Sequence, residues 1–247
     1  MKRWLIALTV SLGLLAPAAA FWQSRDSNYN VAVGSSAATQ TFESFVTEAS
    51  GGSSITYSSV ALGATTSKQV IAVIAMCRTA GATTATVSSV TVGGNAATHV
   101  SSSAASLNNS GSTDIWYYAD AGALGASANI VVTWSNTTTR TGIYVYNITT
   151  STLTPSNGNS VTGLSTTSVG PTTLTVPSNG VGISGLYTQQ TGNTQSFTNA
   201  SLDSSNAMSG GNGTASGHTT ATGSVSVTGV SITTANGMAM SLASWGT

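Results

Sequence analysis

The sequence predicts an all-β fold, an antiparallel β-sandwich of immunoglobulin-like or jelly-roll-like kind, made of two related halves behind an N-terminal apolar segment. Three observations carry that expectation. Apolar residues fall in short runs of strand length, or alternate with polar ones at a period of two. Gly, Asn and Ser bound these runs, and no amphipathic helical period follows residue 40. Charge is scarce: Lys, Arg, Asp and Glu make up 5% of the 247 residues, against roughly 25% in an ordinary soluble protein. Disorder carries low hydrophobicity with high net charge, whereas here 40% of residues are hydrophobic and the formal net charge is zero. A core can therefore be buried.

Residues 1–20 come first. Lys2 and Arg3 precede an apolar stretch from Trp4 to Leu15, and the segment closes on Ala18-Ala19-Ala20. A basic head, a short apolar stretch and a small-residue end form the pattern of a secretory signal peptide, with cleavage expected after Ala20. The stretch falls short of the roughly 20 apolar residues that span a bilayer. The competing expectation is an uncleaved apolar helix that packs into an assembly. Residues 21–40 read as a lead-in, with Phe21 and Trp22 as candidate docking residues for an assembly partner, because exposed aromatics favour a tied-down terminus.

From residue 41 onward the strands follow in order. Val70 to Cys77, Ile115 to Tyr118, Ile130 to Trp134 and Ile143 to Tyr146 are continuous runs expected of central strands. Val225 to Thr228 and Met238 to Leu242 alternate, as strands with one wet face do. Val90 to Thr98 reads as a hairpin turning at Gly93-Gly94, since primed turns need positive φ. Asn157-Gly158, Asn179-Gly180 and Asn236-Gly237 mark further turns. About a dozen strands are expected. Val132-Thr133, Thr138-Thr139 and Gly142 recur 95 residues later as Val227-Thr228, Thr233-Thr234 and Gly237. This echo divides the chain into halves at 41–150 and 151–247, either two Ig-like units or one intercalated sandwich.

The residue types exclude several functions. No basic field exists to hold phosphate backbones, so nucleic acid is not an expected partner. Cys77, the only cysteine, lies within an apolar run and reads as a small buried hydrophobe. Asp114 and Asp120 flank the 115–119 run, roughly 20 Å apart at about 3.3 Å per residue, beyond the roughly 5–10 Å of a glycosidase pair. Both are expected at strand ends, facing solvent or bonding turn amides. Glu43 and Glu48 have no charged neighbours in sequence, and His99 and His218 lack metal-ligand spacing. His218 follows a glycine-rich polar stretch, 210–217, expected to be a loop. No catalytic, cofactor-binding or metal-binding residue is assigned, and no cofactor is expected. Five Asn-x-Ser/Thr sequons, at Asn108, Asn136, Asn147, Asn199 and Asn212, match what a third of positions being Ser or Thr produces by chance.

The aromatics Trp116, Tyr117, Tyr118, Trp134, Tyr144 and Tyr146 concentrate in three strands expected to be adjacent. Alternation sends about half inward, which gives either a packed core with a Tyr-lined outer face or a sugar-stacking platform. The surface is Thr, Ser, Asn, Gly and Gln, a weak defence for edge strands that charges usually protect.

The blocks Ser88 to Thr98, Asp114 to Ala119 and Ala128 to Ser135, together with Gly142 to Tyr146, resemble β-sandwich proteins of tailed bacteriophages and prophages, which are virion or tail-associated components. The resemblance is closest over residues 65–150 and looser in the second half. It implies a non-enzymatic structural role on a virion, as a decoration or tail-associated adhesion protein in repeated copies or a homo-oligomer. Other virion or surface proteins are the partners it implies, with a host-surface glycan as a further one. A cleavable leader departs from that pattern and points to the alternative, a secreted or cell-surface bacterial adhesin or carbohydrate-binding module.

Overall fold

Every apolar run singled out from residue 41 onward lies in a strand of the computed structural model, which describes residues 36–48, 50–80, 83–107, 110–189, 194–208 and 211–247. The first half supplies β1 (Thr39–Glu48), β2 (Ser54–Ala61), β3 (Gln69–Arg78), β4 (Val87–Val92), β5 (Asn95–Ala96), β6 (Thr98–His99), β7 (Ala105–Leu107), β8 (Gly111–Ala119), β9 (Ser127–Trp134) and β10 (Arg140–Thr149). The second supplies β11 (Asn157–Val176), β12 (Val181–Thr188), β13 (Gln195–Thr198), β14 (Ser201–Ala207), β15 (Gly213–Thr219) and β16 (Gly223–Trp245). Among the described residues the helical content is one 3₁₀ turn, Ala121–Ala123. The fold is all-β and antiparallel, as the sequence predicts.

Three sheets stack. An outer sheet runs β2-β9-β4-β5, an inner sheet β1-β10-β3-β8-β6 with β7 also on β8, and a third β11-β16-β12-β15-β14 with β13 on β16. The continuous apolar run of β3 follows from its central place between two cores. Ile71, Val73, Ala75 and Cys77 face the outer sheet, where Tyr57, Ile130, Val132 and Trp134 meet them. Val70, Ala72, Ile74 and Met76 face the third sheet and pack on Ile183, Tyr187, Ala239, Ala243 and Trp245. A side-chain period of two thus fills both cores from one strand.

The long β11–β16 ribbon bends. Thr166 pairs with Ala235, but Ser168 pairs with Val230, so β16 carries extra residues at the corner. Beyond it, Leu174, Val176, Val225 and Val227 double back over Leu186, Met238, Met240 and Leu242 to enclose a third core. The 95-residue echo thereby has a structural counterpart. Ile130, Val132, Ile143 and Val145 lie in the outer core of the first half, and their counterparts Val225, Val227, Met238 and Met240 lie in the outer core of the second. The flanking strands correspond too. β10 sits between β1 and β3, and the last part of β16 sits between β11 and β12, antiparallel in each case.

The turns divide. Gly93 and Gly94 have φ of 59° and 83° and close the β4–β5 hairpin as expected, and Asn179 turns with φ of 57°. Asn157-Gly158 and Asn236-Gly237 are instead inside β11 and β16, because ladder pairing across the ribbon satisfies their backbone. The glycine-rich stretch before His218 is mostly strand as well. A Cβ on Gly217 would lie 2.5 Å from the Ser201 carbonyl oxygen, and one on Gly213 would lie 2.0 Å from Gln195 Nε2. Small residues occur there because β15 is squeezed between neighbours, not because the chain loops.

Candidate functional site

Neither histidine stands alone. β6 pairs with the middle of β8, so His99 lies opposite Trp116 and diagonal to Asp114. A carboxylate only accepts, so His99 Nε2–H donates to Asp114 Oδ1 at 2.9 Å. Asp114 is not at a strand end: β8 begins three residues before it, and the residue is buried. The Ser103 hydroxyl lies 2.8 Å from Oδ1, the Ile115 amide donates to Oδ1 at 2.8 Å, and Trp116 Nε1 donates to Oδ2 at 3.0 Å. Four groups thus lie within hydrogen-bond distance of one carboxylate, three at Oδ1 and one at Oδ2. The hydrogen bond to Asp114 holds the imidazolium of His99 and raises its pKa above the ordinary 6.5, against the opposing pull of partial burial. Asp120 sits in the left-handed region at φ 58°, exposed at the end of β8 as expected.

The second half repeats the pairing with the roles exchanged. β14 is bulged between Leu202 and Ser204, and the unpaired residue is Asp203. The bulge aims its carboxylate at the neighbouring strand and at the first half. His218 Nδ1–H donates to Asp203 Oδ1 at 2.6 Å, and the Tyr146 hydroxyl, reaching across from β10, donates to Oδ2 at 2.7 Å. Burial, reinforced by the Asp203 charge, pushes the Tyr146 phenol far above its ordinary value. His218 borders a shallow open hollow of about 360 Å³ shared with Asn199, Ser201, Thr219 and Thr220.

The chemistry these groups can perform is narrow. In the His99 cluster the serine bonds the carboxylate rather than the imidazole, so the order of a nucleophilic triad is not met. At His218 a carboxylate orients the ring, yet no described hydroxyl is bonded to the ring's other nitrogen. Among the described residues no group of three or more His, Cys, Asp or Glu could hold a metal ion. No described helix is long and apolar enough to cross a membrane.

The remaining sequence candidates separate by burial. Cys77 is fully buried with its thiol pushed up to about 11 by burial, as a packed hydrophobe would be. Tyr144 and Tyr146 are fully buried between the inner and third sheets, where Phe42 and Phe45 pack on them with centroids 4.5–6.0 Å apart. Tyr117 is buried in the same core. These three are not on an open face, because even positions of β10 and the Tyr117 face of β8 are covered by the second half. Trp116 and Tyr118 are half-exposed on the other side of β8, and Trp116 packs against His99 at 5.2 Å. Phe21 and Trp22, like the leader itself, lie outside the described residues. The sequence gives one signal for the His–Asp pairs that spacing rules for metals pass over: each pair is separated by 15 residues, a distance suited to facing positions on adjacent strands. No protein-family model, no curated protein and no solved structure matches the chain.

Proposed function

We propose that this chain is a non-enzymatic structural component of a tailed-phage virion, a decoration or tail-associated surface protein present in repeated copies. The observation that supports it best is the combination of fully packed cores with outer faces of neutral hydroxyls. Thr56, Ser58, Ser88, Ser89, Ser224 and Ser226 are exposed along the two outer layers, while the histidines and the buried carboxylate are engaged with one another. Such a block offers many neutral hydrogen-bonding groups to neighbouring copies or to a host-surface glycan. The resemblance carried by residues 65–150 adds to this reading.

A second reading, a secreted or cell-surface bacterial adhesin or carbohydrate-binding module, draws on the leader pattern of residues 1–20. Intact mass of the native protein tests both. A full-length chain recovered from purified particles is the outcome expected for the virion component. A mass lacking Met1 to Ala20, recovered from the medium or cell surface, would replace it with the second.

A further inference from the structure

Arg78 ends β3 and Arg140 begins β10, and the register places them directly opposite each other. Like charges in that position repel. Opposite residues of an antiparallel pair share a face, and theirs is the face that Met76 and Tyr144 turn toward the second half. Both guanidiniums are there offered one neutral acceptor: Nη1 of each donates to Asn212 Oδ1, at 3.3 Å from Arg78 and 3.4 Å from Arg140. Asn212 is itself buried and held by its Nδ2, which donates to the Thr188 carbonyl at 3.4 Å.

No described Asp or Glu side chain pairs with these two charges. Asp114 and Asp203 are committed to His99 and His218. Glu48, the nearest acid along the neighbouring strand, pairs with Thr141 and so shares the opposite face of the sheet. A guanidinium carries five donors, and the described side-chain acceptor that both reach is one shared amide oxygen at long range. Both side chains are half-exposed and within reach of a ligand. Their field extends inward as well. Burial raises the Tyr187 phenol, and the Arg78 and Arg140 charges pull it the other way.

We propose that Arg78 and Arg140 form a binding site for an oxyanion-bearing ligand, a carboxylate or phosphate group gripped by both forks, with Asn212 holding the forks in place. The charge that is unfavourable in the free protein becomes the recognition element, since paired guanidiniums match the geometry of both oxyanions. The site depends on neither the virion nor the adhesin reading. Its chemistry fits a surface polymer bearing uronic acid or phosphate.

The test is calorimetric titration of the full chain at low salt with glucuronate, inorganic phosphate and neutral glucose. Wild type, Arg78→Gln, Arg140→Gln and Arg140→Lys are compared, each first checked for a wild-type circular dichroism spectrum. Saturable binding of glucuronate or phosphate is expected, weakened about tenfold or more by either Gln variant, with glucose inert. Arg140→Lys keeps the charge but loses the fork, so it should bind more weakly than wild type. It also keeps the test alive if a Gln variant fails to fold. Preference for glucuronate assigns a carboxylate ligand and preference for phosphate a phosphate ligand, and either sustains the site. Absence of saturable anion binding, or equal affinity in wild type and the substituted proteins, overturns it.

Discussion

Asp114 shows how much one side chain can hold. Its carboxylate lies within hydrogen-bond distance of His99, Ser103, Trp116 and the Ile115 amide. An alanine there would remove the acceptor of the partly buried His99 and Trp116 donors, while Ser103 and the Ile115 amide keep each other. An orphaned buried group costs about 1–3 kcal/mol, so Asp114→Ala should destabilise the protein by about 1–3 kcal/mol, read as a shift in urea midpoint at unchanged m-value. A second consequence is a pH dependence. The folded-state pKa of His99 is raised, so its contribution is fully present below about 6.5, the unfolded value, and is lost as pH rises through the higher folded value. Urea titrations from about pH 5.5 to 8.5 should show stability declining across that window, and His99→Gln should flatten the decline. An unchanged slope in His99→Gln would refute the linkage. The burial of Cys77 is legible in the sequence because an apolar run surrounds it. The environment of Asp114 is less so: its 15-residue separation from His99 suits facing strands, but which residue of β6 meets which residue of β8 is set by a register that no local pattern fixes.

Individual strands add what single residues cannot. Phe42 and Phe45 both pack on the tyrosines of β10, although a spacing of three sends side chains of a regular strand to opposite faces. The bulge between Phe42 and Ser44 removes the conflict. It leaves Glu43 unpaired on an edge strand, with its carboxyl raised by partial burial. β14, the edge of the third sheet, carries a bulge at Asp203. A chain with few charges thus places an acid at a bulge on each of these two edges, a recognised defence against further pairing. The sequence predicts the central strands well, since burial on both faces writes a continuous apolar run. It does not show the bulges, which are set by packing between sheets. Two predictions belong to this scale. Gly185 of β12 faces β3 so closely that a Cβ would lie 2.3 Å from Ile74 Cγ2 and 3.0 Å from Met76 Cε. Gly185→Ala should therefore cost about 1–3 kcal/mol by overpacking, measured by denaturant unfolding, and a neutral result would mean the two sheets separate easily. The Tyr146–Asp203 bond spans the two halves. A double-mutant cycle of Tyr146→Phe and Asp203→Asn should return a coupling of about 0.5–3 kcal/mol, and a coupling near zero would show that the halves do not communicate through it.

The whole molecule is governed by its lack of charge. Twelve charged residues in the full sequence, several of them engaged internally, leave apolar, aromatic and neutral hydrogen-bonding groups to make most outside contacts. Electrostatic attraction falls steeply with ionic strength and those terms respond much less. Attachment to a particle or cell surface should therefore survive a rise from low salt to about 0.5 M, where the Debye length is only about 4–5 Å. Oxyanion binding at Arg78 and Arg140 should weaken over the same range, so salt separates the ligand site from the anchor. Phe21 and Trp22 are the proposed anchors. Replacing both by Ala should release the protein into the supernatant when particles are sedimented, while its circular dichroism stays that of a β-protein. Release of the unsubstituted protein by salt alone would show that charge, not the aromatic pair, holds it in place.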